Sequence, residues 1–420
     1  MLTIEEAVAR IRAEVPRQPA ESVPLGDALG RVLAEEVRAA GDVPPWDNSA
    51  MDGYAVRCAD WVGARPDAPV SLQLVGTIGA GQAPTRPVGA GEAQAIMTGA
   101  PLPAGADAVV MVEDTDGARS GRVAVARAPA AGQHIRRAGS DVPRGSVVLA
   151  PGVTLGPAQL GLAAAVGRPT LQVARRPVLA VIATGDELVA PGLPLGPGQI
   201  WSSNQVALVA MIREAGADAI DLGVAGDTVD ATVEALRRAL AVADAVVTTG
   251  GVSVGAFDHV KEAHERLGAA VDFWKVKMKP GKPLAFGRVH AGGRAVPLFG
   301  LPGNPVSCLV NFAQFVRPWI RDALGDPTPF LPVVDAVAGE DLTDPPGRAR
   351  LQRVRLVRSA TGWVAWSAGS QSSGALSGMA RADGLLLIGA TAAGPTAGAA
   401  CRVQLLRTDF LAQATPDYGW

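Results

Sequence analysis

Lysine is scarce in this chain, and its few lysines are clustered. Of the 38 basic residues five are lysines and 33 are arginines, and all five lysines lie between Lys261 and Lys282. Four of them fall in the segment WKVKMKPGKP. Lysine is a compact charge on a flexible stem, which suits an oxyanion that must be bound and then released. The cluster therefore predicts an anion site, although an exposed strand edge would also favour lysine.

Cysteine and histidine are rare as well. The three cysteines (Cys58, Cys308 and Cys401) are widely spaced without a CxxC pair, and the four histidines show no metal-ligand spacing. This excludes a disulfide framework and a structural zinc site, and it is typical of a reduced, cytoplasmic protein. The sequence also predicts no cysteine chemistry.

Long apolar runs and a strong net charge are also missing. No apolar stretch reaches the roughly 18 residues that a membrane-spanning helix needs, and the opening MLTIEEAVARI lacks the apolar region of a signal peptide. The formal charge is -2, so the chain as a whole has no attraction for nucleic acid or anionic membranes. We expect no membrane and no nucleic-acid partner.

What is present is a multidomain pattern. A chain of 420 residues is expected to form two to four domains. We predict α/β plus β, with a central doubly wound α/β domain, a β-rich insert, an N-terminal helical region and a small C-terminal all-β domain. The predicted bounds are residues 1–43 and 133–175 for the helical region, 44–132 for the insert, 176–326 for the α/β domain and 327–420 for the barrel-like C-terminal domain. The helical region is expected to include a helix from about Gly26 to Val37.

Acidic residues follow several strands of the α/β domain. Asp186 and Glu187 come after the apolar strand VLAVIAT, Asp227 follows the next strand, and Asp258 precedes a helix. Ligands of open α/β sheets bind beyond the carboxyl ends of the strands. Asp227 and Asp258 could each be only helix caps. Together, however, the four carboxylates would repel one another without a cation, and Mg²⁺ suits them.

Two further loops at strand ends favour an anion. TTGGVSVG (248–255) has neither a Walker lysine nor GxGxxG, yet its glycines let backbone N–H groups approach a ligand closely. In GLPGNPVS (300–307), Asn304 can cap a helix whose first residue is Pro305, and such a helix start attracts anions. Carboxylates, a metal and an anion pocket together fit phosphoryl or nucleotidyl chemistry.

In this setting the chain resembles a known family, the molybdopterin molybdenumtransferases of MoeA and the gephyrin E domain. The resemblance covers nearly the whole length and depends on motifs that occur in the family order, namely DNSAMDGYAV, TGAPLPAGADAVVMVE, RRAGSD, TGDEL, TTGGVSVG, KPGKP and GLPGNPVS. It implies that molybdate is inserted into adenylylated molybdopterin with Mg²⁺-dependent hydrolysis, giving molybdenum cofactor and AMP.

The resemblance also assigns residues. It implies that Glu187, Asp227 and Asp258 bind the metal and, with Asp186, serve hydrolysis. It implies that the substrate is bound by Asp52, Thr98, Arg136, Asp141, Thr184, Gly185, Asn204, Thr249, Gly250, Gly251, Ser253, Val254, Lys275, Lys279, Lys282, Pro302, Gly303, Asn304, Pro305 and Ser307. Lys279 and Lys282 are the candidates for the oxyanion. Four residues of the C-terminal part are matched less securely as candidates for the lining of the molybdate pocket: Arg348, Arg353, Ser372 and Ser373.

The family further implies a homodimer in which the β insert of one subunit faces the α/β domain of its partner, and an adenylyltransferase as a possible partner. Two alternatives share some of these features. The first is a molybdopterin adenylyltransferase, but those enzymes resemble the α/β domain alone, which would leave about 170 upstream residues without a role. The second is a scaffold protein, because gephyrin also clusters membrane receptors. A nicotinamide dehydrogenase is disfavoured because its glycine fingerprint is missing. No residue decides between molybdate and tungstate.

Overall fold

The structure is a computed structural model that describes residues 1–61, 63–251 and 259–412. The contacts between residues divide the chain into two compact units. One consists of Met1–Glu21 and Ala174–Trp420, and the other is Ser22–Val173. The first helix, α1 (Ile4–Arg12), begins at a capping box, in which the Glu6 backbone N–H donates to the Thr3 hydroxyl and the Thr3 backbone N–H donates to the Glu6 carboxylate.

The unit Ser22–Val173 is mostly β. Its elements, including the two strands that cross its ends, are β1 (Ala20–Pro24), β2 (Val37–Arg38), β3 (Asn48–Ser49), β4 (Gly53–Val56), β5 (Val70–Ile78), β6 (Glu92–Ile96), β7 (Ala108–Met111), β8 (Arg122–Val125), β9 (Ile135–Arg136), β10 (Val147–Leu149), α2 (Pro157–Ala165) and β11 (Thr170–Ala174). Five strands form one sheet in the order β7-β4-β6-β5-β8. Its core includes Tyr54, Trp61 and Leu72.

The helix predicted from about Gly26 to Val37 is wrong. The chain makes a single 3-10 turn at Leu25–Asp27 and then runs extended, with Leu33 bridged to Val173. Gly30 has φ +74°, a left-handed conformation that ends helical growth. The apolar spacing that looked helical instead serves a core of strands, because Leu33 and Val37 are buried with residues distant in sequence.

The α/β part alternates strands and helices as predicted. Its elements are β12 (Val178–Thr184), β13 (Leu188–Val189), β14 (Ile200–Trp201), α3 (Ser203–Glu214), β15 (Asp218–Ala225), α4 (Val229–Val242), β16 (Ala245–Thr249), α5 (His259–Arg266), β17 (Ala270–Lys275), β18 (Met278–Lys279), β19 (Pro283–Ala291), β20 (Arg294–Leu301), α6 (Pro305–Asn311) and α7 (Arg317–Leu324), with a π-helical turn, Phe312–Val316, between α6 and α7.

The main sheet has the strand order β15-β12-β16-β20-β19-β17. The first four strands are parallel, and β19 and β17 are antiparallel additions. Strand β12 is apolar on both faces, and Ile182 on one face packs with Leu236 of α4. Burial on both faces explains the continuous apolar run in its sequence.

The C-terminal part closes into a barrel. Its elements are β21 (Val333–Ala338), β22 (Ala349–Ser359), β23 (Gly362–Ser367), α8 (Leu376–Ala380), β24 (Gly384–Ile388) and β25 (Ala400–Leu405). The strands pair in the order β22-β23-β21-β25-β24, and β24 pairs back to β22. Strand β18 adds to β22, with Lys279 opposite Arg350. The predicted fold class is confirmed, and the closed ring removes free strand edges.

A buried histidine makes the stability of this fold sensitive to acid. His264 on α5 is 1% exposed, its Nε2 has no partner among the described residues, and burial lowers its pKa to about 4. In the unfolded chain its pKa is about 6.5, so unfolding takes up a proton between these values. Above pH 6.5 this histidine does not reduce the free energy of unfolding, because it is neutral in both states. As the pH falls from 6.5 toward 4, the free energy of unfolding declines.

We expect the free energy of unfolding to fall by about 2 kcal/mol between pH 7.5 and pH 5.0 through this group. His264→Phe, which keeps an aromatic ring beside Trp274 (5.9 Å between centroids), should reduce that pH dependence in denaturant titrations. The exposed His290 provides the matched control, His290→Gln. An identical acid sensitivity in wild type and His264→Phe would contradict the prediction.

Candidate functional site

Four parallel strands end at one edge of the main sheet, and their ends bring the predicted segments together. The register pairs Thr184 of β12 with Ala225 of β15, Ala183 with Thr249 of β16, and Thr249 with Leu301 of β20. The loops that follow carry Gly185 to Glu187, Asp227, Gly250 and Pro302. Their convergence follows from the parallel arrangement.

Three acidic residues lie at this edge of the sheet. Asp186 and Asp227 are hydrogen-bonded to each other, and Glu187 follows Asp186 in the chain. The backbone N–H of Asp186 donates to the Asp227 carboxylate, and the Asp227 N–H donates to the Asp186 carboxylate, both at 3.1 Å. Helix α4 is capped by Thr228, whose hydroxyl accepts from Ala231 at 3.2 Å. Asp227 is therefore not the helix cap, and its carboxylate stays at the sheet edge.

Glu187 folds back over Gly185. A Cβ on Gly185 would lie 2.3 Å from the Glu187 Oε2, and Gly185 has φ +141°. Only glycine allows the carboxylate to approach the backbone so closely. The predicted fourth carboxylate, Asp258, lies outside the described residues, as do Ser253 and Val254.

These loops enclose a cavity of about 630 Å³, which we call the carboxylate cavity. It is lined by Thr184, Gly185, Glu187, Leu188, Ile200, Trp201, Ser202, Ser203, Asn204, Asp227, Thr249, Gly250, Gly251, Pro283, Pro302, Gly303, Asn304 and Pro305. Most of the predicted substrate-binding residues of the α/β domain are in this lining. Its size suits a ligand of a few hundred daltons.

Hydrogen bonds hold the cavity wall. The Asn204 amide donates to the Thr249 hydroxyl at 3.0 Å and to the Gly303 carbonyl at 2.8 Å. The Thr249 hydroxyl donates to the Pro302 carbonyl at 3.2 Å. Helix α3, strand β16 and the loop after β20 are thereby tied together. Behind Thr249, burial raises the pKa of the Cys308 thiol to about 12, so this thiol stays protonated.

The loop that follows β16 requires a glycine at position 250. Gly250 has φ +93°, and a Cβ there would lie 2.5 Å from the Thr184 carbonyl oxygen. The start of α6 is equally well defined, with Pro305 at its first position and Asn304 as N-cap. The Asn304 side chain makes no cap bond, and this residue lines the cavity instead.

A second cavity of about 570 Å³ surrounds the lysine segment, and we call it the lysine cavity. It is lined by Met278, Lys279, Pro280, Gly281, Lys282, Pro283, Asn304, Ser307, Arg348, Gln371, Ser372 and Ser373. Lys279, Lys282 and Arg348 give it three cations. Nζ of Lys279 lies 2.8 Å from Oδ2 of Asp344, so one of these charges is partly balanced.

The serine loop of the lysine cavity is held from behind by Arg353. This side chain is fully buried, and its guanidinium donates to the carbonyls of Ser370 (2.5 Å) and Ser372 (3.1 Å). Burial lowers the pKa of Arg353. Arg353 therefore supports the wall, whereas Arg348, Ser372 and Ser373 belong to the lining itself.

The two cavities share a wall. Pro283 and Asn304 line both of them, so carboxylates and ammonium groups line adjoining spaces. Lys275 ends β17 opposite Pro283 and belongs to neither lining. Its predicted role stays a prediction.

Four predicted residues belong to the unit Ser22–Val173. Asp52 accepts hydrogen bonds from the backbone and hydroxyl of Thr98 at 2.7 and 2.8 Å, and these bonds lower the pKa of Asp52. Arg136 pairs with Asn48 in the β3–β9 ladder. Asp141 is exposed, and its backbone N–H donates to Val43. Their predicted roles at the substrate also stay predictions.

Sequence reasoning missed several lining residues. Ile200 and Trp201 enter the carboxylate cavity from β14, and Gln371 enters the lysine cavity from a loop of the barrel. The only sequence signal for the first two was Trp201 itself, an aromatic residue two positions before the start of α3. Nothing local marked Gln371, because its place depends on the barrel packing beside β18.

Comparisons with known proteins bear on the family of the whole chain. Three family models match in order, the MoeA N-terminal region (domain I and II) at residues 2–167, a probable molybdopterin binding domain at 180–322 and the MoeA C-terminal region (domain IV) at 335–406. The chain is 44% identical over 373 residues to molybdopterin molybdenumtransferase 2 of Mycobacterium tuberculosis, which covers 87% of this chain and 90% of that protein.

It is 36% identical over 411 residues to the Bacillus subtilis molybdopterin molybdenumtransferase, covering 97% of this chain and 95% of the relative. The chain belongs to the molybdopterin molybdenumtransferase family. A solved molybdopterin biosynthesis MoeA protein from Pyrococcus horikosii superposes with a TM-score of 0.82 at 33% identity, covering 97% of this chain and all of that one.

The predicted family, and with it a transferase of molybdenum cofactor biosynthesis, is confirmed. The chain also matches the models of the MoeA N-terminal and C-terminal regions. A molybdopterin adenylyltransferase was expected to resemble only the α/β domain. Among the described residues, none of the helices combines the length and hydrophobicity that a bilayer crossing requires.

Proposed function

We propose that this member of the molybdopterin molybdenumtransferase family hydrolyses adenylylated molybdopterin, with release of AMP, and inserts molybdate between the two dithiolene sulfurs. The observation that carries the proposal is the shared wall at Pro283 and Asn304 between a cavity with carboxylates and a cavity with three cations. One substrate can then place its phosphates in the first and its sulfurs at the entrance of the second.

The chemistry balances without an oxidant. In hydrolysis the oxygen of water forms a bond to phosphorus, one phosphoanhydride bond breaks, and AMP leaves with release of a proton. In insertion two Mo–S bonds form, both thiol protons pass to one oxo ligand, and that oxygen leaves as water. Molybdenum remains Mo(VI). The chain supplies orientation and electrostatic stabilisation for both steps.

The carboxylate cavity suits Mg²⁺ by the chemistry of its donors. Glu187 and Asp227 offer hard oxygen ligands in one lining, and Mg²⁺ is commonly bound by one or two carboxylates with substrate phosphates and water. Within residues 1–61, 63–251 and 259–412, no three His, Cys, Asp or Glu side chains form a ready metal cluster. Asp258, the third predicted ligand, lies outside these residues. Phosphate oxygens of the substrate and water would complete the ligand set. When bound, the ion would withdraw charge from the phosphate oxygens.

The lysine cavity suits the oxyanion. Lys282 and Arg348 supply cations to its lining, and the Ser372 and Ser373 hydroxyls can donate hydrogen bonds. Charge-assisted bonds of this kind are the stronger class. Molybdate and tungstate share shape and charge, so both are candidate oxyanions.

The remaining assignments extend this proposal. The chain acts in the cytoplasm as a homodimer in which the β insert of one subunit faces the α/β domain of its partner. Asp52, Thr98, Arg136 and Asp141 reach the substrate from the domains outside the α/β domain. An adenylyltransferase supplies the adenylylated substrate, because the nucleotide must be attached before it can be released. Sedimentation analysis tests the dimer.

The deciding experiment is anaerobic incubation of the purified chain with adenylylated molybdopterin, molybdate and Mg²⁺. AMP is measured by chromatography, and the product is tested by reconstitution of an apo-molybdoenzyme. We expect AMP release and reconstitution that both depend on Mg²⁺ and on this chain. AMP attachment from ATP without use of molybdate would instead support an adenylyltransferase.

Gly185→Ala tests whether the position of Glu187 matters. The new methyl group would displace the Glu187 carboxylate by about an ångström, and misplacement on that scale can cost about 100-fold in rate. We expect AMP release to fall by about that factor. Gly192→Ala is the matched control, because Gly192 also has positive φ (+93°) but its Cβ would meet nothing within 4 Å. Equal activity of the two variants would contradict the assignment of Glu187.

A further inference from the structure

Trp201 is an exposed aromatic residue on the wall of the carboxylate cavity. Its side chain is 51% exposed, although its one polar atom, Nε1, already donates to the Leu193 carbonyl at 2.9 Å. Strand β14 pairs in parallel with β13, Val189 lying opposite Trp201. The indole is thus held in place while its carbon surface stays open to the cavity.

Such an arrangement has the properties of a stacking surface. Among the described residues that line this cavity Trp201 is the sole aromatic, and its neighbour Ile200 is 54% exposed. An exposed indole with a satisfied N–H gains most from a flat apolar partner. Base-on-aromatic stacking is a common solution for nucleotide ligands, since every base has a π-face.

We propose that Trp201 stacks on the adenine of the adenylylated substrate and so binds the nucleotide half of the molecule. This rests on the proposed function. In the proposed function, the dithiolene of the substrate lies near the shared wall at Pro283 and Asn304, and its pyrophosphate lies near Glu187. Trp201 lines only the carboxylate cavity, and its strand pairs with β13, which begins one residue after Glu187. Along the substrate the adenine follows the pyrophosphate, whereas the pterin precedes it.

The test is AMP affinity by calorimetry in Trp201→Ala, Trp201→Phe and wild type. Loss of one stacked ring weakens binding by about tenfold, so we expect that change for Trp201→Ala and a change below about threefold for Trp201→Phe. Trp366→Ala is the matched control. Trp366 is 42% exposed on β23 of the barrel and lines neither cavity. AMP should quench tryptophan fluorescence in wild type but much less in Trp201→Phe.

Equal AMP affinity in Trp201→Ala and wild type would overturn the proposal, and so would failure of the wild type to bind AMP at millimolar concentration. A second titration uses 6-hydroxymethylpterin. Weaker pterin binding with unchanged AMP binding in Trp201→Ala would assign the ring to the other half of the substrate and also overturn it. Because AMP binding is measured without turnover, a failure of molybdate insertion in wild type would refute the proposed function while leaving the stacking result intact.

Discussion

Asp227→Asn is expected to lower AMP release from adenylylated molybdopterin by at least about 100-fold, the range seen when one preorganised electrostatic group is removed. Asp227 lines the carboxylate cavity, and the cap of α4 is Thr228 and not Asp227. The substitution keeps the shape of the side chain, and its amide oxygen can still accept from the Asp186 N–H. What it removes is the negative charge.

Initial rates of AMP release at several Mg²⁺ concentrations measure this effect. We expect higher Mg²⁺ to recover part of the lost rate, because a weaker ligand set can be filled by mass action. Asp230→Asn is the matched control: Asp230 is exposed on the first turn of the same helix and pairs with Arg266. If Asp227→Asn retained half of the wild-type rate, Asp227 would not serve the reaction.

Lys282→Ala is expected to raise the molybdate concentration needed for half-maximal insertion by about tenfold or more, since a hydrogen bond to a charged group contributes about 1.5–3 kcal/mol. Lys282 is exposed and lines the lysine cavity. Lys279 is already paired with Asp344 at 2.8 Å, whereas no ion pair of Lys282 is seen among the described residues. The full charge of Lys282 is therefore available to an oxyanion.

Lys277→Ala is the control for this substitution. Lys277 is exposed in the same segment but lies outside both linings. AMP affinity should be unchanged in both variants, while the rise in melting temperature caused by tungstate should shrink only in Lys282→Ala. The double variant Lys279→Ala/Lys282→Ala should lose molybdate-dependent cofactor formation. An unchanged molybdate requirement in the double variant would place the oxyanion elsewhere.

Much of the α/β domain was predictable because its signals are local. The apolar run Val178–Thr184 is buried on both faces of the sheet, and the turn residues at Gly185 and Gly250 have the positive φ that favours glycine. Once parallel strands are predicted, geometry alone brings Thr184, Thr249 and Leu301 to one edge. The substrate itself was suggested by family resemblance and not by these signals.

The errors and omissions involve contacts between distant parts of the chain. The segment from Gly26 to Val37 has helical spacing, yet Leu33 bridges Val173, about 140 residues later. Propensity is a weak guide where such pairing competes with it. Asp227 could have been a helix cap until the structure showed Thr228 in that role.

By itself the sequence determined the fold class, the order of the elements in the α/β domain and the strand ends at which the candidate residues cluster, because hydrophobic period and turn chemistry are encoded by neighbouring residues. Only the tertiary structure decided that Lys279 pairs with Asp344, that Arg348 and Ser372 join the lysine cavity, and that Trp201 lines the carboxylate cavity. These depend on how β18 docks on β22 and how β14 pairs with β13. Such pairings are selected by the packing of the whole core, which no local window of sequence contains.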